Sequence, residues 1–348
     1  MEVADERRDT LLLVNLMIRA ILTCLISSVL TYSLIWISQK GFLPKDKKSQ
    51  KPFFGGLAIY ISFWLNYYMA WPYFDTRQWG LLIASTVVLL TGLLDDCLTL
   101  SPVLKSIGII IACHLIYRVD HIVFTSAILD TFPSWMSGPL AYVFTLIWIY
   151  FLTNAFNLID GIDGLSSSVS ITSLVSMIMV TLSFSLTIQV DFVLMLLLLL
   201  SAILGFWIFN WPPAKIILGD TGSLFIGFMY AAMTVRNLKH ASLYTLVLPV
   251  LIYAVPLFDT IYAIIRRFLN GQPITLGDRD HIHHRLLRRG WTQGQINFLM
   301  IIMTMMFSVL AFALQAYPQY KVSIFSVIIM ILLSMALWTY FLGKDNRS

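Results

Sequence analysis

The chain has 348 residues, of which 58% are hydrophobic and only 12% charged, with a formal net charge of +5 and a mean hydropathy of +0.81. Soluble domains carry about 25% charged residues, so this composition excludes a soluble multi-domain chain, and nucleic acid is not an expected partner. It describes a polytopic membrane protein, and one built of helices, because each span needs about 20 apolar residues and every backbone polar group must be bonded inside its own segment.

The first apolar segment, roughly residues 11 to 37, is too long for a signal-peptide core and lacks a small-x-small cleavage site, so it is read as a retained span. Hydropathy with Pro, Gly and charge punctuation then gives about eleven spans, at roughly 11–37, 53–71, 79–94, 103–119, 139–158, 166–187, 191–209, 222–236, 242–266, 296–316 and 321–342. The segment at 222–236 is short, and 120–138 has room for a re-entrant or interfacial piece. No fixed-period repeat and no low-complexity tract is present, so the expectation is a single membrane-embedded domain over 1–348 with one long loop at about 267–295. Cys24, Cys97 and Cys113 form no CxxC pair and imply no disulfide framework.

With eleven spans, alternate loops separate into two sets. One set carries fifteen of the twenty-three basic residues, including Lys40, Lys45, Lys47, Lys48, Lys51, Lys105, Lys215, Arg266, Arg267, Arg279, Arg285, Arg288 and Arg289. By the positive-inside rule that set is cytoplasmic, with the N-terminus outside and the C-terminus inside, although Arg7, Arg8 and Arg19 weaken the bias at the first span. The expected location is a bacterial plasma (inner) membrane.

The polar residues that interrupt these spans fall on the same side. Asn154, Asn157, Asp160 and Asp163 recur every third residue in Asn154-Ala-Phe-Asn-Leu-Ile-Asp-Gly-Ile-Asp-Gly-Leu165. On a helix each such step turns by roughly 300°, so the four fan over about half the cylinder and can face one site. Left dry and unpaired they cost several kcal/mol each, so they must meet water, a metal or a polar ligand. Asp95 and Asp96 close the third span, and Lys105 opens the fourth. Neighbouring residues point about 100° apart on a helix, so one carboxylate can hold a cation while the other orients a ligand or takes a proton.

Gly219-Asp220-Thr221-Gly222-Ser223 follows the helix-breaking Asn210-Trp211-Pro212-Pro213. Thr221 or Ser223 can cap the next helix, whose free N–H groups favour an anion, and Asp220 is then either a cap or a metal ligand. In the long loop, Arg279-Asp280-His281-Ile282-His283-His284-Arg285 holds three of the six histidines among arginines. That suits a phosphate-binding surface; a zinc site without HExxH or CxxC, or a basic segment resting on anionic lipid, are the other readings. Lys48 or Lys51 in the first basic loop can add a phosphate contact. Asp259, inside a span and two turns before Arg266, is costly unless paired and is read as a structural partner. Clustered carboxylates beside basic loops suggest a polyanionic substrate bridged by a divalent cation, since carboxylates alone repel phosphates.

At these motifs the chain resembles the polyprenyl-phosphate N-acetylhexosamine-1-phosphate transferases, glycosyltransferase family 4. The resemblance rests on Leu94-Asp95-Asp96, the stretch from Asn154 to Leu165, Gly219-Asp-Thr-Gly-Ser223 and His281-Ile-His-His284 in the family's order, and runs from about Lys48 to Arg289. It implies transfer of a sugar 1-phosphate from a UDP-N-acetylhexosamine, UDP-N-acetylglucosamine first among them, to undecaprenyl phosphate in the membrane, with release of UMP. That would be the first step of a surface polysaccharide of the O-antigen, common-antigen or teichoic-acid type. It further implies Mg²⁺ as cofactor, with Mn²⁺ able to substitute. Asp220 would be the metal ligand, Asp95 the group that contacts or deprotonates the lipid phosphate, and Asp96 its neighbour. Asn154, Asn157, Asp160 and Asp163 would hold the nucleotide-sugar, Asp163 and Asn210 nearest uridine, and His281, His283 and His284 the diphosphate or sugar. Lys48, Lys105 and Arg279 would add phosphate contacts, and self-association into a homodimer is compatible with the family. Ile217 departs from the pattern where an aromatic often precedes Gly-Asp, and His281-Ile-His-His284 departs from the three consecutive histidines of the muramoyl-pentapeptide branch. Two rivals are weaker: an aspartate-motif prenyl transferase needs four-residue spacing, and a cation-coupled lipid or sugar transporter would line the bilayer midplane with its ionisable groups.

Overall fold

The computed structural model describes residues 2–46, 49–71, 73–120, 132–184, 190–237, 243–271 and 280–344. Among them the chain forms thirteen α-helices: α1 (Glu2–Gln39), α2 (Gly55–Ala70), α3 (Thr76–Leu98), α4 (Pro102–Leu115), α5 (Ser134–Ile159), α6 (Leu165–Phe184), α7 (Val190–Asn210), α8 (Gly219–Asn237), α9 (Leu243–Ile252), α10 (Ala254–Leu269), α11 (Ile282–Arg288), α12 (Gln293–Ala316) and α13 (Lys321–Lys344). The fold is therefore an all-α polytopic membrane bundle, as the composition requires.

Eight helices are long and apolar enough to cross a membrane: α1 from Leu13, α3, α4 with the π-helical turn that extends it, α5, α6, α7, α12 and α13. The expected spans at 53–71, 222–236 and 242–266 are helical but fall short of that test. In the first case α2 has 16 residues. The third is broken at Tyr253 into α9, of 10 residues, and α10, of 16. Pro256 lies in the first turn of α10 and has no N–H to donate back to Ile252, which leaves the helix uncontinued at that point.

The second, α8, needs no lipid-facing surface, because every residue from Thr221 to Val235 is buried. It runs through the middle of the bundle against α2, α3 and α5. Small residues bring those backbones close. A Cβ on Gly56 would lie 2.3 Å from the Gly222 nitrogen, and one on Gly92 would lie 2.5 Å from the Asp220 carbonyl. This is how helices associate in lipid, where there is no hydrophobic gain in pairing and close van der Waals contact replaces it.

Helix starts follow local rules. Asp75 caps α3 in a reciprocal box with Gln78, Ser101 caps α4 ahead of Pro102, and Thr292 caps α12 in a box with Gln295. The result is antiparallel packing that gathers the C-terminal ends of α3, α5 and α7 with the N-terminal ends of α2, α4, α8 and α12. The three cysteines are free.

Candidate active site

The site is built on the first turn of α8. Gly219 enters it with φ +75°, a left-handed conformation that only glycine adopts without strain, and a Cβ there would lie 2.5 Å from the Phe53 carbonyl. The free N–H groups of the turn are satisfied from another helix. Asp96 accepts from the amides of Asp220 and Thr221, each at 2.9 Å, and from the Thr221 hydroxyl at 2.6 Å. An ionised side chain bonded to a helix N-terminus is a strong cap, because it meets both the orphan donors and the positive end of the dipole. Thr221 and Ser223, the caps expected from local sequence, do other work: Thr221 donates to Asp96, and Ser223 accepts from the Asn157 side chain at 2.9 Å. Asp96 therefore fixes α8 to α3 rather than standing free.

With α8 held, Asp220 meets Asp95. The Lys105 ammonium lies between them, 2.7 Å from Asp95 Oδ2 and bonded to Asp220 Oδ2. Asp95 Oδ1 accepts from the Leu100 amide at 2.8 Å, across a turn in which Thr99 has φ +52°. That conformation is costly for a β-branched residue. The strained turn is what brings the start of α4, and with it Lys105, back over the end of α3. Asn157 on α5 lies beside Asp220.

The stretch from Asn154 to Leu165 is helical only to Ile159; Asp160 is the C-cap, and Asp163 sits in the turn before α6. The expected helical fan is thus half helix and half turn, yet it still converges. Asn154 turns back on its own helix, donating to the Tyr150 carbonyl at 2.8 Å. Burial raises the Asp160 carboxyl well above the usual carboxylate range, and the charges of Asp220, Asp96 and Asp163 add to the rise. Asp163 is spent on packing the loops: its Oδ2 lies 2.7 Å from Lys51 Nζ and accepts from the Ala214 amide at 3.1 Å, while its carbonyl accepts from Asn297 on α12 at 2.8 Å. Asn210 is buried and closes the 211–218 loop, donating to the Ile216 carbonyl at 2.9 Å and accepting from Ser167 at 2.8 Å. That loop then pairs with the start of α2, through Ile217 to Pro52 at 2.9 Å and Gly56 to Leu218 at 3.1 Å.

The histidines approach from α11. His283 packs directly on the turn, so that a Cβ on Gly161 would lie 2.1 Å from its Nε2. Burial lowers its basicity well below the ordinary histidine value, and His284 and His281 lower it further. The His281 and His283 rings are parallel with centroids 5.8 Å apart, and the His284 ring is 4.2 Å from that of His283. Asp259 pairs with His281 at 2.8 Å, not with Arg266. Arg266, Arg285 and Arg288 instead surround Asp280, with Arg266 at 3.2 Å and Arg285 at 2.6 Å. Burial pulls the Asp280 carboxyl upward, but Arg285, Arg266 and Arg288 outweigh it and hold it below the usual range. Arg285 is itself buried and donates to the Thr339 carbonyl, so α13 clasps the base of α11.

Of the residues expected from sequence, Asp95, Asp96, Lys105, Asn157, Asp160, Asp163 and Asp220 are brought together. His283 joins them at Gly161. Lys48 and Arg279 lie outside the described residues. Lys51, Asn297, Ser223 and Asp259 complete the polar network; Lys51 and Asp259 carried a sequence signal in their charge and Ser223 in the Gly219–Ser223 motif, whereas Asn297 carried none. For a cation, the donor set that converges is Asp95 and Asp220, two carboxylates already sharing the Lys105 ammonium. Hard oxygens in that number fit Mg²⁺, which takes one or two carboxylates and fills the rest with water and substrate phosphate. Among the described residues no three His, Cys, Asp or Glu side chains gather into an all-protein metal cage.

The family model of Glycosyl transferase family 4 matches residues 78–237, the stretch from α3 to the end of α8. A probable undecaprenyl-phosphate N-acetylglucosaminyl 1-phosphate transferase of Bacillus subtilis (strain 168) is 34% identical over 291 residues, 81% of this chain and 78% of the relative. The undecaprenyl-phosphate alpha-N-acetylglucosaminyl 1-phosphate transferase of Escherichia coli (strain K12) is 28% identical over 253 residues, 70% of this chain and 67% of the relative. A phospho-N-acetylmuramoyl-pentapeptide-transferase of Lactiplantibacillus plantarum is 27% identical over 281 residues, 76% and 84% of the two chains. With the fold and the polar helix ends above, these matches define an integral membrane transferase. The chain belongs to glycosyl transferase family 4.

Proposed function

We propose that the chain transfers N-acetylhexosamine 1-phosphate, with N-acetylglucosamine as the sugar, from a UDP-sugar to undecaprenyl phosphate and releases UMP, starting a cell-surface polysaccharide. A phosphate oxygen of the lipid attacks the sugar-linked phosphorus of the donor, and the bond to the uridine-linked phosphate breaks. The observation that carries this reading is the pair Asp95 and Asp220 sharing one cation at the ends of α3 and α8. A divalent ion held there by Asp220, Mg²⁺ with Mn²⁺ as substitute, would offset charge on the departing nucleotide.

In this reading Lys105 leaves the carboxylates to orient the lipid phosphate, and Asp95 takes its proton. Asn157 and Asp160 bind the donor's phosphates and sugar beside His281, His283 and His284. Asp163 and Asn210 shape the uridine side through the 211–218 loop, because their side chains are already bonded to it. Lys48 and Arg279 extend the phosphate-binding surface. The site faces the cytoplasm. Counting α2, α8 and the α9–α10 pair as passes beside the eight long apolar helices gives eleven, which puts the N-terminus outside and the C-terminus inside, and the excess of Lys and Arg in the loops of the site's side supports this.

Purified protein with Mg²⁺ and undecaprenyl phosphate should release UMP from UDP-N-acetylglucosamine, and the same assay across UDP-N-acetylhexosamines ranks the sugars. Folded protein that yields no UMP from any of them would refute the proposal. A higher rate with a fucosamine, quinovosamine or galactosamine derivative would replace the sugar and keep the reaction.

A further inference from the structure

Asp259 is a buried carboxylate in α10, and the reaction as written above does not use it. Its two oxygens have two partners. Oδ2 lies 2.8 Å from His281 Nδ1, and Oδ1 accepts from the Ile282 amide at 3.1 Å. The nearest arginine in sequence, Arg266, is committed to Asp280. One side chain thus holds both the His281 ring and the backbone that leads into α11.

The chemistry of that contact settles the ring. An ionised carboxylate only accepts, so the proton in the Asp259–His281 bond belongs to Nδ1, and in the neutral ring Nε2 is a bare acceptor. Nε2 of His281 is buried and has no partner, and the same is true of Nε2 of His283. Buried polar atoms are rarely left unpaired, and each exception calls for a cause such as a catalytic role or a bound partner. Of the nine such atoms among the described residues, these two are ring nitrogens that are neighbours in one stack, and His283 rests on Gly161 beside Asp160.

We infer that Asp259 is the positioning residue of the histidine cluster: it fixes His281 as the Nδ1-protonated ring and leaves Nε2 to accept from a hydroxyl or acetamido N–H of the donor sugar. The inference rests on the donor-site reading of the histidines given under Proposed function. It assigns His281 to the sugar rather than the diphosphate, since a bare nitrogen repels a phosphate oxygen. It also makes Asp259 a determinant of donor affinity although it touches no substrate.

The test uses the full-length chain with ¹⁵N-labelled histidine in detergent micelles. Two-bond ¹H–¹⁵N correlation spectra report which ring nitrogen carries the proton, and His281→Gln assigns the signals. Wild type should show His281 protonated at Nδ1. In Asp259→Asn the amide N–H can donate to Nδ1, so the ring should switch to the Nε2-protonated form, which can no longer accept. The KM for the UDP-sugar should then rise by on the order of 10-fold or more, with the KM for the lipid phosphate unchanged and Asp259→Glu restoring both tautomer and donor KM. A merely structural role would lower the active fraction and leave both KM values in place. Wild-type His281 protonated at Nε2, or an Asp259→Asn protein with unchanged tautomer and donor KM, overturns the inference. The wild-type spectrum decides the first point even where Asp259→Asn does not fold. If no UDP-N-acetylhexosamine yields UMP, the functional proposal fails while the spectra still judge the Asp259–His281 pairing.

Discussion

The two ends of α8 carry similar charges and use them differently. At its C-terminal end Arg236 lies 3.1 Å from Asp191 on α7, Asp191 also accepts from Tyr67 at 2.7 Å, and Gln78 donates to the Tyr67 hydroxyl at 3.2 Å. Four helices are tied there, one residue from each, and the cation and anion pair one to one. At the N-terminal end one ammonium serves two carboxylates, with Asp160 held in the same field. The first arrangement is neutral and closed. The second has surplus negative charge that a cation can take up, which is the property a phosphoryl-transfer site needs.

The largest expected difference between the ends is in activity. Asp220→Asn removes the group assigned to the metal and should cut kcat for UMP release on the order of 10³-fold, with the fold intact by circular dichroism. Asp96→Asn should do less to the rate and more to the fold. It weakens the cap that joins α3 to α8 and should cost about 1 kcal/mol, read as a lower Tm, with a smaller loss of kcat. At the other end, Asp191→Asn should cost about 1–3 kcal/mol by leaving Arg236 without its anion, and kcat/KM should not change. The smallest effect is a pH dependence on the far side of the histidines. Asp280 has a carboxyl held below the usual range by Arg285, Arg266 and Arg288. Its contribution to stability is present above the ordinary carboxylate pKa of about 4 and is lost as pH falls through the lower folded value. Tm measured at decreasing pH should therefore drop more steeply in wild type than in Asp280→Asn over that acidic window.

Much of the active end was legible because membrane chemistry makes polar residues scarce. Asp95, Asp96, Asp160, Asp163 and Asp220 stand out against apolar spans, and the alternation of basic loops groups them on one side. What could not be read was which partner each would take. Asp95 and Asp96 are adjacent, and only the register of α3 against α8 decides that one caps a helix while the other shares Lys105. Asp259 lies two turns from Arg266 on one helix, yet the chain from Asp280 onward gives each a nearer partner, His281 and Asp280. Asn210 and Asp163 stand out as polar residues by type, but only the folded chain shows that both side chains also bond the 211–218 loop, at the Ile216 carbonyl and the Ala214 amide. In each case sequence revealed the cost of burying the group, and tertiary packing chose how that cost is met.

The most direct test of the contrast pairs Asp220→Asn with Asp191→Asn, each assayed for UMP release with UDP-N-acetylglucosamine, undecaprenyl phosphate and Mg²⁺ and melted in the same detergent. The account predicts that Asp220→Asn is folded and inactive, whereas Asp191→Asn melts at lower temperature with wild-type kcat/KM. An active Asp220→Asn protein that retains its Mg²⁺ dependence would contradict it.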